Sequence, residues 1–68
     1  MTVIVNGERR ELPAGATVAH VVALLAGDES GRGVAVALEG EVVPRGTWSQ
    51  TPLRDGARIE VVAAIQGG

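Results

Sequence analysis

Only one stretch of this chain carries the spacing of a helix, and that constrains its fold more than any other feature. Val18, Val21, Val22 and Leu25 fall at i, i+3, i+4 and i+7, on one helical face, with Leu24 at its border. Thr17 is a good N-cap, although the acid of a capping box is missing and His20 stands at the third helical position. Gly27 is placed to end the helix in the left-handed conformation, so the helix is expected over residues 17–26. A single helix of that length covers one face of a sheet and no more. The rest of the chain must therefore supply one sheet with one buried face.

The remaining segments read as short strands separated by turns. Thr2 to Val5 is apolar and β-branched. Asn6-Gly7 follows, the strongest short hairpin signal, because both central positions of a type I′ turn need positive φ. Arg9 to Leu12 reads as the return strand, its charges suiting an edge or a solvent face. Asp28 to Gly33 reads as a loop. Val34 to Leu38 is too short and too β-branched for a helix. Glu39-Gly40 turns the chain into a brief strand, Glu41 to Val43, that Pro44 terminates. Gly46 to Leu53 reads as irregular. After the Asp55-Gly56 turn, Arg58 to Ala64 is the last strand, with Ile59, Val61, Ala63 and Ile65 alternating against Glu60, Val62 and Ala64. The expected fold is a two-layer α+β domain: a mixed sheet of four or five strands with one helix across one face. The first hairpin and the last strand would form the sheet centre, with first and last strands parallel.

Size and composition narrow the function. A chain of 68 residues is one small domain with a marginal core and little room for a deep cleft, which argues against a self-contained enzyme. Cysteine is absent, which removes disulfides, thiolate metal sites and a cysteine nucleophile together, and fits a reducing cytoplasm. The formal net charge of -2 lacks the basic footprint of a nucleic-acid binder. All six basic residues are Arg, so no side-chain amine exists to accept an isopeptide bond. No apolar run approaches the length of about 18 residues that a membrane span needs, and the N-terminus has no signal-peptide pattern. A soluble cytoplasmic protein is expected. The core draws on eleven valines, three isoleucines and five leucines, with no Phe or Tyr, and such β-branched packing is stiff.

The last strand leads into Ile65-Gln66-Gly67-Gly68. Glycine has no Cβ, so Gly67 and Gly68 can thread a channel too narrow for other residues. Four extended residues reach roughly 13 Å. The expected organisation is a folded body, 1–64, and a flexible tail, 65–68, that delivers a carboxylate into another protein's active site.

Residues along the whole chain resemble one family. Val43-Pro44-Arg45, Trp48, Asp55-Gly56, Ile59-Glu60-Val61-Val62 and the closing Gln66-Gly67-Gly68 resemble the ThiS sulfur carriers of thiamin biosynthesis, as do Val5-Asn6-Gly7 and Gly15-Ala16-Thr17-Val18 in the front half. The resemblance implies a β-grasp, ubiquitin-like fold. It implies that a ubiquitin-activating-type adenylyltransferase (ThiF type) uses ATP to convert the Gly68 carboxylate to an acyl-adenylate. Sulfur from a cysteine desulfurase or other persulfide donor then yields a thiocarboxylate, and thiazole synthase (ThiG type) accepts it. Gly68 is thus the residue modified, while Gly67, Gln66 and Ile65 enter partner active sites. The carrier itself would hold no cofactor, no metal and no catalytic residue. Its partners would dock in turn on a small interface, near or below about 1,200 Å², on sheet residues close to the tail.

Other readings stand beside this one. A carrier for molybdopterin or cysteine synthesis would share the chemistry and change the acceptor. A ubiquitin-like protein modifier, or a passive interaction module with an idle tail, would change the class. Trp48 either caps the small core or serves as a partner hot spot, and the lack of any other aromatic favours the core. His20, off the apolar stripe and with no second ligand at metal spacing, reads as a solvated helix residue. Arg45 would pair with Glu41, Asp55 or an acidic partner. Gly31-Arg32-Gly33 reads as a loop rather than a phosphate cradle, and Glu39 and Glu41 flank a turn without a paired-carboxylate role.

Overall fold

The structure, a computed structural model, describes residues 1–26 and 33–63. Strand β1 (Thr2–Val5) turns into β2 (Glu8–Glu11), helix α1 (Val18–Ala26) follows, and β3 (Val34–Leu38) turns into β4 (Glu41–Val42). A 3₁₀ helix (Arg45–Gln50) then leads to β5 (Arg58–Ala63). The five strands form one sheet in the order β2-β1-β5-β3-β4. Strands β1 and β5 pair in parallel, and all other neighbours are antiparallel. This is the expected mixed sheet with its first and last strands side by side. The hairpin splits across that arrangement: β1 is central, while the charged β2, exposed at all four residues, is an edge.

Both hairpins turn at the expected pairs, and the left-handed backbone expected of Asn6-Gly7 recurs at Glu39-Gly40. Asn6 and Gly7 have φ of 51° and 84°, and Glu39 and Gly40 repeat the pattern with 52° and 86°. Asparagine tolerates this region better than most side chains, and glycine adopts it freely.

The sheet buries one face. Val3 and Val5 of β1, Val36 of β3 and Ile59 of β5 pack with Val18, Val21 and Val22 of α1, joined by Leu12, Ala16, Leu53, Ala57 and Trp48. Leu25 shared the expected stripe, but it is 36% exposed and Leu24 is 54% exposed. The last helical turn carries them past the residues that cover Val18, Val21 and Val22. The Gly27 cap and the loop 28–32 lie outside the described residues.

The segment after β4 is more regular than its sequence suggests. Residues 45–50, expected to be irregular, form the 3₁₀ helix. Tertiary ties anchor the chain just after it: the backbone N–H of Val18 donates to Thr51 O at 3.0 Å, and Leu53 N–H donates to Ala16 O at 2.9 Å. Trp48 is buried, and its indole Nε1–H donates to Val43 O at 2.9 Å. It is therefore a core residue rather than an exposed anchor.

Candidate functional site

The site begins with β5, the last described strand and the one that precedes residues 64–68 in sequence. Its alternation is the one read from the sequence. Ile59 is buried and Val61 half-buried on the helix side, while Arg58, Glu60 and Val62 face the other way. It is also the most fully paired strand. On one side it meets β3 from Leu38↔Ile59 to Val34↔Ala63. On the other, Ile4 N–H donates to Ala57 O at 2.8 Å and Asn6 N–H donates to Ile59 O at 3.0 Å. Beyond the end of β1 the Asn6 side chain takes over. Val61 N–H donates to Asn6 Oδ1 at 2.9 Å, and Asn6 Nδ2–H donates to Val61 O at 3.2 Å.

The start of β5 is tied by side chains as well. Arg58 N–H donates to Glu39 Oε2 at 2.7 Å, while Glu39 N–H donates to Arg58 O at 2.8 Å. Glu39 therefore serves as a turn residue that secures a neighbouring strand. Asp55 accepts from Thr2 N–H at 2.7 Å just ahead of Gly56, whose φ of 84° marks the expected turn. Thr2 Oγ1–H in turn donates to Glu11 across the first hairpin.

Among the described residues, no helix lies over the face of the sheet away from α1. Register sets its composition: Ile4 lies between Arg9 and Arg58, Ala37 between Glu60 and Val42, and Ala35 beside Val62. Val42 is 78% and Val62 is 61% exposed. Small and branched apolar side chains thus stand on β1, β5, β3 and β4 of this face, interspersed on β5 with the charges of Arg58 and Glu60.

Ile65, Gln66, Gly67 and Gly68, the residues expected to enter partner sites and to be modified, lie outside the described residues, together with Ala64. His20 is half-buried on α1 in a groove with Thr17, Ala19, Ala23, Leu24 and Ser49. Among the described residues no group of three His, Cys, Asp or Glu side chains could hold a metal ion. None of the described helices is long and apolar enough to cross a membrane. Sequence reasoning missed two parts of this site. The Asn6 carboxamide was seen only as a turn signal, and the open face became visible only once the register was known.

Comparison with known proteins agrees with this architecture. The ThiS family model matches residues 3–68. The sulfur carrier protein ThiS of Escherichia coli is 32% identical over 68 residues, covering all of both chains. A thiazole synthase of Paramagnetospirillum magneticum is 38% identical over 68 residues, which are all of this chain and 20% of that protein. The crystal structure of the thiamine biosynthesis protein ThiS from Geobacter metallireducens superposes with a TM-score of 0.80 at 27% identity, covering all of both chains. The solution structure from the same organism gives 0.73, covering 100% of this chain and 88% of that one. The shared architecture is the β-grasp.

Proposed function

Because the chain belongs to the ThiS family, we propose that it is a sulfur carrier for thiazole formation in thiamin biosynthesis and that its reacting group is the carboxylate of Gly68. One observation carries the reading. The central strand of the sheet, β5, is paired with β3 as far as Ala63 and with β1 and the Asn6 carboxamide as far as Val61, on a sheet with an uncovered apolar face, and in sequence it precedes Ile65-Gln66-Gly67-Gly68.

The chemistry follows from what a carboxylate lacks. A C-terminal carboxyl group ionises with a pKa of about 3.3–3.7, so at neutral pH its charge repels nucleophiles and it has no leaving group. A ThiF-type adenylyltransferase overcomes both obstacles. A carboxylate oxygen attacks the α-phosphorus of ATP, pyrophosphate departs, and the acyl-adenylate carries AMP as leaving group. The terminal sulfur of a protein persulfide, supplied through a cysteine desulfurase, attacks the acyl carbon and expels AMP. A thiol then cleaves the S–S bond and leaves a thiocarboxylate on Gly68. Thiazole synthase consumes that sulfur. A thiazole synthase that contains a stretch similar to the whole of this chain supports such a pairing.

The carrier contributes position rather than acid or base. Its rigid sheet docks, and a tail of roughly 13 Å presents one atom at a set distance from the docking face. The strip of Ile4, Ala35, Ala37, Val42 and Val62 is the docking face in this reading. Deleting Gly68 should abolish ATP–pyrophosphate exchange by the adenylyltransferase while the body stays folded. Exchange that continues unchanged would refute the tail mechanism. Intact mass of protein from cells supplies a second check. A species heavier by sulfur minus oxygen is expected, whereas a ladder of covalent conjugates would point to a protein modifier.

A further inference from the structure

Strand β1 ends before β5 does, and the structure fills the gap with a side chain. Ala57, Ile59 and Val61 are the residues of this segment that face β1, by the alternation of a strand. The carbonyls of Ala57 and Ile59 are met by the main-chain N–H groups of Ile4 and Asn6. At Asn6 the chain turns away, with φ of 51°, and no further backbone from β1 is left for Val61. The Asn6 carboxamide takes that place, accepting from Val61 N–H at 2.9 Å and donating to Val61 O at 3.2 Å. A carboxamide is the side-chain group that offers one donor and one acceptor in a plane, as a peptide does. Aspartate would keep only the acceptor. Position 6 therefore meets two demands at once: a residue that tolerates positive φ, and a short amide that continues the ladder.

We infer that Asn6 is a positioning residue for the sulfur-carrier reaction, fixing where and in what direction the tail leaves the sheet. The inference rests on the function proposed above. With the carboxamide in place, β5 is held from both sides at Val61, and by Val34 at Ala63. Without it, the β1 side is open from Ile59 onward. The origin of the tail then swings, and a tail of fixed reach delivers its carboxylate to a spread of positions instead of one.

The test uses Asn6→Gly, which keeps the turn and removes the carboxamide, and Asn6→Asp, which keeps the acceptor alone. Asp55→Ala serves as control, since it deletes a comparable side-chain-to-backbone bond ahead of β5, at its other end. In Asn6→Gly, hydrogen exchange at the Val61 amide should quicken about tenfold while the Ile59 amide keeps its protection. In adenylation by a ThiF-type enzyme with the carrier as variable substrate, kcat should fall between about tenfold and a hundredfold with KM nearly unchanged. Asn6→Asp should lie between this variant and the parent, and Asp55→Ala should match the parent. A purely structural role has the opposite signature: loss of folded carrier raises the apparent KM and leaves kcat intact. Unchanged Val61 exchange, or a defect confined to KM, overturns the inference. If the parent protein supports no pyrophosphate exchange, the carrier reading fails first and takes this inference with it.

Discussion

Replacing Trp48 with Phe probes how much of the body's stability hangs on one side chain. The indole is buried among valines and leucines, and its Nε1–H donates to Val43 O at 2.9 Å. Phenylalanine removes that bond and leaves the carbonyl without its partner, a loss of about 0.5–1.5 kcal/mol. It also empties the space of the five-membered ring, equivalent to one or two methylenes at about 0.8 kcal/mol each. The expected destabilisation is therefore about 1.3–3 kcal/mol. A domain of this length holds only about 3–10 kcal/mol in total. The midpoint of thermal unfolding should fall by roughly 5–24 °C, at about 4–8 °C per kcal/mol. Urea titration followed by far-UV circular dichroism measures this, since the substitution removes the only indole fluorophore. The slope should stay constant while the midpoint drops. A loss below about 1 kcal/mol would contradict this packing. So would a large rise in the carrier's KM for adenylation, measured where both forms are folded, because that would mark Trp48 as a partner contact.

Two further outcomes follow from backbone and register. Gly7 has φ of 84° and open space where a Cβ would stand, so Gly7→Ala should destabilise by about 1 kcal/mol through backbone strain alone. Gly46, with equal space and no positive φ, should accept Ala with a change between zero and about 1 kcal/mol of stabilisation. Denaturant midpoints that move together would refute this distinction. Val62→Glu, at a position 61% exposed on the open face, should shift stability by less than about 0.5 kcal/mol yet weaken binding to the adenylyltransferase at least tenfold by calorimetry. Unaltered affinity would remove that face from the docking surface.

Local chemistry made much of this fold readable. Asn6-Gly7 is a turn because few pairs accept two positive φ values, and that preference is written in the residues themselves, whereas at Glu39-Gly40, with the same φ signs, only the glycine announces it. Val18, Val21 and Val22 announce a helix face by spacing. Legibility failed where tertiary contacts decide. The 3₁₀ helix at Arg45–Gln50 has no periodic pattern, and the segment just after it, at Thr51 and Leu53, is bonded to residues 18 and 16. The exposure of Leu25 depends on where the helix ends relative to the sheet beneath it. Asn6 conceals its second task, since the turn alone already accounts for an asparagine there. Only the pairing of Ile4 with Arg58 reveals that its carboxamide reaches Val61. The candidate site divides the same way: the glycine pair is plain in the sequence, and the apolar side chains of the open face need the register.

The strand order carries a consequence for how the molecule comes into being. The two hairpins, β1–β2 and β3–β4, never pair with each other, and β5 alone joins them. That joining strand is translated last, so a partly synthesised chain has two unconnected halves and no closed sheet. Assembly waits on contacts between the two ends of the sequence, the slow kind of closure. A domain built this way closes its sheet only when β5 is added, and a copy that lacks β5 has two hairpins and no assembled platform.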